Sequence, residues 1–334
     1  MTKTLNESGL VIAERALAEA HSLGIRLVTI DATRVIDCGV HAAGSDAAGV
    51  MLAAVALAGR GRVWLERPAA LHASFSAEWP ACPWPVVAVH SDAPVAACLA
   101  SQYAGWKVQS TGFFAMASGP IRAAIGREPL FDTIGHRERP AVAVGLLETA
   151  ALPPADVCRD LAAAAGVRAE SLLLLVARTA SPAGTLQVIA RSLETALHKL
   201  HDLHFDMARI ERGVGRAPLA PVAAGDLAAI GRTNDAILYG GIVTLEVRGD
   251  DRSLEDVGPL AVSRASPSYG EPFARLFSKA GGDFYALDPA LFAPAALEFV
   301  NLDTGRRHRF GGVAPGIVAA SFAPGGTAAA PAGR

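Results

Sequence analysis

The stretch SLLLLVARTASPAGTLQVIARSLE, Ser171–Glu194, constrains the fold more than any other part of the chain. Its apolar run shows no polar alternation, so it reads as a buried strand, and a Ser-Pro entry then starts a helix. Leu186, Ile189, Leu193, Leu197 and Leu200 recur at helical spacing and mark the face turned to the core. A second stretch, PWPVVAVHSDAPVAACLASQYAG, repeats the order of buried strand, Pro-containing turn and helix. Two such strand-to-helix units predict an α/β protein with mixed sheets. GRTNDAILYGGIVTLEV adds a Gly-rich turn followed by an alternating strand, Ile242 to Val247.

At 334 residues the chain exceeds the usual size of one core, which predicts two lobes. The charged, punctuated stretch Gly126 to Pro140 reads as the crossing between them, dividing an N-terminal α/β lobe (1–130) from a C-terminal one (131–322). Residues 323–334, rich in Ala, Pro and Gly without apolar periodicity, read as a disordered tail. The net charge of −2 and the absence of Lys/Arg runs argue against a nucleic-acid partner. The longest uncharged apolar run, Ala47 to Gly59, is too short for a bilayer. The N-terminal segment reads as an amphipathic helix capped by Asn6 or Ser8 and not as a signal peptide. Four scattered cysteines, Cys38, Cys82, Cys98 and Cys158, fit reduced thiols in a cytosol.

Residue patterns weigh against several chemistries. In GVGRAP, Gly213 to Pro218, a proline stands where a dinucleotide fingerprint needs its third glycine, so the stretch reads as a loop requiring positive φ. His198, His201 and His204 are spaced by three, and each step of three drifts back about 60° around a helix, so one ion cannot easily collect all three. A solvated helix end without metal is the expectation, a two-histidine site the alternative. No G-x-S-x-G elbow occurs, and Cys38 near His41 reads as structural. A stripe of Gln187, Arg191, Glu194 and His198 remains on the flank of the predicted helix. Arg191 preceding Glu194 is the poorer orientation for helix stability, yet from pattern alone a surface ion pair is the expected reading and catalysis the alternative.

Four strings narrow the choice: SQYAGW (Ser101 to Trp106), GFFAMASGP (Gly112 to Pro120), GRTNDAILYGG (Gly231 to Gly241) and FAPA (Phe292 to Ala295). In this order and spacing the chain resembles the methenyltetrahydromethanopterin cyclohydrolases from about Leu5 to Phe322, with Ala117 a small departure where glycine is usual. The resemblance implies a two-lobed fold with the active site in the cleft between lobes. It implies hydrolysis of the methenyl bridge of a tetrahydromethanopterin to the 5-formyl derivative, reversibly, in one-carbon metabolism. It further implies a cytoplasmic homotrimer without metal or redox cofactor, the pterin being substrate. The family's Arg-x-x-Glu pair falls on Arg191 and Glu194, with Glu194 as acid-base group and Arg191 as its tuner and positioner. A flat pterin with an anionic tail would want aromatic walls and cations. Phe113 and Phe114, with Tyr103 and Trp106 upstream, and Lys107 are candidates, core packing being the other explanation for each aromatic, and at most one of the two adjacent phenylalanines can face a pocket. Arg232, Thr233, Asn234 and Asp235, taken as a tight loop, are candidates for the pterin edge, a capped turn being their other explanation. Two further functions stay open, a redox enzyme of the same pathway and a non-catalytic pterin-binding protein.

Overall fold

A computed structural model describes residues 3–283 and 286–324. Most of the tail set apart by composition, residues 325–334, lies outside the described residues. Twelve strands follow the chain: β1 (Arg26–Ile30), β2 (Thr33–Asp37), β3 (Arg62–Glu66), β4 (Val86–Ser91), β5 (Trp106–Ser110), β6 (Phe113–Ser118), β7 (Ala143–Glu148), β8 (Leu172–Ala177), β9 (Ile210–Pro218), β10 (Ile242–Val247), β11 (Ala296–Asn301) and β12 (Arg307–Gly311). They form two six-stranded mixed sheets of order β1-β2-β8-β7-β6-β5 and β12-β11-β10-β9-β4-β3. The chain is thus an α/β protein. The predicted strand Ile242 to Val247 is β10, and its residues alternate between half-buried and buried.

Every residue of the LLLLVA run is buried. It forms β8, parallel to β2 and β7 in the first sheet. One face of that sheet packs Leu173 and Leu175 against helices Leu5–Ala18 and Asp46–Ala56. The other packs Leu172, Leu174 and Val176 against Val157, Cys158 and Leu161 of helix Ala155–Ala165. Helices on both faces explain why the strand carries no polar alternation. The first helix is capped by Thr4 in a capping box with Glu7, not by Asn6 or Ser8. Asn6 is buried instead, its Nδ2 donating to Pro120 O (2.9 Å) and its Oδ1 accepting from Val144 N (2.9 Å).

The sheets interleave along the sequence. β3 and β4 precede residue 130 yet belong to the second sheet, and β7 and β8 follow it yet belong to the first. Residues 126–140 join β6 to β7, adjacent strands of the first sheet. A boundary at residue 130 therefore does not separate the sheets. Which sheet a strand enters depends on its hydrogen-bond partners, and composition carries no trace of them.

The stretch after β8 is two helices, Pro182–Ile189 and Ser192–Asp202, where periodicity predicts one. Ala190 and Arg191 interrupt it with ψ near zero. The leucine stripe is buried throughout as expected, and both halves enter the core of the second sheet. The first helix packs on helix Asp46–Ala56 beside the first sheet, the second on β9 of the second sheet.

GVGRAP lies within β9 and is no loop; neither Gly213 nor Gly215 has positive φ. A Cβ on Gly215 would stand 2.5 Å from Ser192 Oγ and 2.7 Å from Leu193 N. Glycine is needed here because the start of helix Ser192–Asp202 lies directly on the strand.

Candidate active site

The break at Ala190 and Arg191 places Arg191 and Glu194 at the junction of the two layers, and both are buried at 6% exposure. Arg191 is the N-cap residue of helix Ser192–Asp202 and Glu194 lies in its first turn. The pair does not sit unfavourably along one long helix, as sequence suggests; Glu194 is at the positive end of a short one. The two form no ion pair among the described residues. Instead the guanidinium donates through Nη1 to Gln102 O (2.8 Å), and through Nη2 to Ser118 Oγ (3.1 Å) and Gln187 Oε1 (3.2 Å). Burial disfavours its charge, opposed by the carboxylates of Glu148 and Glu194.

Glu194 accepts no hydrogen bond among the described residues. Burial drives its pKa up to about 7, against the pull of Arg191 and Arg122. That is the range a group needs to take up and return a proton near neutrality. Beside it, Gln102 Oε1, Arg191 Nε and Ser192 Oγ are buried without partners among the described residues. Idle buried polar atoms are expensive, and with the perturbed carboxyl they make this junction a candidate site.

Sequence reading missed Arg122, which stands behind this site. Arg122, 1% exposed, ion-pairs with Glu128, donates to Leu99 O (2.6 Å) and lies 4.8 Å over the Tyr103 ring. Tyr103 stacks on His198 at 4.2 Å between centroids, and burial followed by Glu194 raises its hydroxyl pKa. His198 is held toward the neutral form by burial. His201 meets Thr133 Oγ1 (2.9 Å) and shares Asp202 Oδ1 with His198 at 4.0 and 3.7 Å, while His204 adopts φ 59°. Cys38 is buried and its thiol pushed well up. The available signal was that Gln102 and Tyr103 belong to SQYAGW and Ser118 to GFFAMASGP, the strings that carry the resemblance.

The first sheet leads toward this junction. Lys107, Met116 and Glu148 are cross-strand neighbours on β5, β6 and β7, as are Gln109 and Phe114. Neighbours across a sheet share a face, and Ser118, two residues on from Met116, shares it too. Phe114 is 51% exposed on this face, whereas Phe113 is 6% exposed on the other, packed with Val157 and Leu161.

Arg232, Thr233, Asn234 and Asp235 are not in a loop but within helix Asp226–Leu238. Their polar groups act inside the fold. Arg232 donates to Pro221 O, Ser321 O and Ala323 O, Thr233 to Ala229 O and Asn234 to Ile230 O. Asp235 is fully buried, with Oδ1 accepting from Phe273 N (2.8 Å) at the start of helix Phe273–Lys279. Its Oδ2 lies beside the Ser321 hydroxyl outside good hydrogen-bond geometry. Burial raises its pKa from 3.8 to about 7. A carboxyl raised on folding binds its proton more tightly in the native state, so stability is lost as pH climbs from the unfolded value through the folded one. The melting temperature of the wild type, relative to Asp235→Asn, is expected to fall between about pH 4 and pH 7 and then level off. Parallel curves would show that Asp235 ionises freely in the native state.

The fold is α/β, and at the junction a buried carboxyl with a raised pKa lies near a buried arginine. The family model for Cyclohydrolase (MCH) matches residues 4–322, and the chain belongs to that family. It is 41% identical over 326 residues to the methenyltetrahydromethanopterin cyclohydrolase of Methylobacterium sp. (strain 4-46), covering 96% of this chain and 98% of the relative. It is 43% identical over 289 residues to that of Xanthobacter autotrophicus (86% and 83% covered), and 36% identical over 324 residues to that of Methanosarcina barkeri (96% and 98% covered).

Proposed function

We propose that the chain hydrolyses the methenyl bridge of 5,10-methenyltetrahydromethanopterin to the 5-formyl compound, reversibly, with Glu194 as the acid-base group. The observation that carries this is a buried, unpaired carboxyl with a pKa of about 7 beside Arg191, in a chain similar over 96% of its length to a protein of that name. The methenyl carbon is part of an amidinium cation and is already electrophilic, so the residues need supply only an oriented water and a proton carrier. Glu194 accepts one proton as the water oxygen bonds to the carbon. It returns that proton to the departing nitrogen as the carbinolamine opens, while the hydroxyl proton leaves to solvent and the carbonyl forms. Arg191 orients the water and keeps part of Glu194 ionised at neutral pH.

Phe114 and Lys107 would flank the pterin on the sheet face that leads to Ser118 and Arg191, a placement supported by shared strand register. Phe113 packs in the core, Arg232 and Asp235 tie their helix to neighbouring elements, and Thr233 and Asn234 bond within it. The proposal extends to a cytoplasmic homotrimer that binds no nucleic acid and uses no cofactor. Family membership and the net charge of −2 support it. No described helix is long and apolar enough to cross a membrane.

The test is loss of the near-ultraviolet band of the methenyl substrate with purified protein, in chelator and without nucleotide. Rapid decay is expected, with kcat/KM rising as Glu194 ionises through about pH 7. Binding without turnover would replace the proposal by a pterin-binding protein, and a requirement for added nicotinamide by a redox enzyme.

A further inference from the structure

Arg191 lies between two carboxylates, and only one belongs to the chemistry described above. Glu148, half-buried at the end of β7, is the stronger of the two in favouring the guanidinium charge, yet forms no ion pair with it among the described residues. A cavity of about 10 Å³ lies between them, lined by Ser118, Glu148, Gln187 and Arg191 with the side chains of Leu146 and Leu175. That is about the space of one water, and water enters small cavities where polar groups can hold it. Arg191 Nε is a buried donor without a partner among the described residues, and Gln187, Ser118 and Glu148 bring oxygens. Glu148 is itself fixed, its Oε1 accepting from Thr179 Oγ1 at 2.5 Å.

We propose that Glu148 is a positioning residue for the reaction: through one water in this cavity it accepts from Arg191 Nε and sets how closely the guanidinium approaches Glu194. The inference rests on the proposed cyclohydrolase function. Removing the Glu148 charge frees the guanidinium to favour ionised Glu194 more strongly.

The experiment is the pH dependence of kcat and kcat/KM for wild type, Glu148→Gln, Glu148→Asp, Arg191→Gln and the Glu148→Gln/Arg191→Gln double variant. Glu148→Gln is expected to move the acid-side midpoint of kcat/KM down by about 1 pH unit, opposite to Arg191→Gln. Glu148→Asp is expected to restore the wild-type midpoint, and the double variant to match Arg191→Gln. A wild-type midpoint in folded, active Glu148→Gln overturns the inference, as does a raised KM with the profile unmoved, which would place Glu148 against the substrate. If Glu148→Gln does not fold, a displaced midpoint in Glu148→Asp overturns it equally. A wild type without turnover overturns the proposed function instead, so the two failures are distinguishable.

Discussion

Glu194→Gln is expected to keep the fold and lose about 10²–10⁴-fold in kcat, the usual worth of a positioned general base. The replacement is isosteric and the carboxylate accepts no hydrogen bond that an amide would break. It also removes a charge that burial penalises, so the melting temperature is expected to stay level or rise. The acid limb near pH 7 should vanish from what activity remains. Turnover near the wild-type rate would remove Glu194 from the chemistry and leave its raised pKa as a cost of burial alone.

Arg191→Ala is expected to damage stability and rate together. Its guanidinium is the donor for Gln102 O, Ser118 Oγ and Gln187 Oε1 at one buried point. Leaving those acceptors dry costs roughly 3 kcal/mol or more, and losing an oriented donor at the reacting water costs about 10²-fold or more in kcat/KM. Arg191 lowers the Glu194 pKa, so its removal moves the acid-side midpoint above 7, and less base is ionised at neutral pH. Arg191→Lys keeps a charge but not the fork of donors, and should recover the midpoint better than the rate. A midpoint unmoved in both variants would deny Arg191 any part in tuning Glu194.

Much of this was legible before folding. The unbroken LLLLVA run required cover on both faces, the alternation from Ile242 to Val247 marked a strand, and the leucine stripe marked a buried face, because side-chain direction follows backbone period. The unusual strings carried the family, and through it Arg191 and Glu194. Periodicity alone could not separate that pair from a surface ion pair.

The break at Ala190 and Arg191 was not legible, because both flanking segments are good helices, and what separates them is that the first packs on helix Asp46–Ala56 and the second on β9. The glycines of β9 look like turn residues until Ser192 and Leu193 are seen resting on them. Arg232 to Asp235 look like loop chemistry until Arg232 is seen donating to carbonyls across the fold, Thr233 and Asn234 to carbonyls one helical turn back, and Asp235 accepting from Phe273 N. By itself, the order of residues determined the long apolar strands and the buried helix faces, since these depend on neighbours a few positions apart, and it proposed Arg191 and Glu194 only through the family resemblance. Sheet membership, the unpaired burial that raises Glu194, and the meeting of Gln102, Ser118 and Glu148 around Arg191 were decided only in the tertiary structure. Each depends on groups many tens of residues away, whose desolvation and donor geometry exist only once the chain has closed around them.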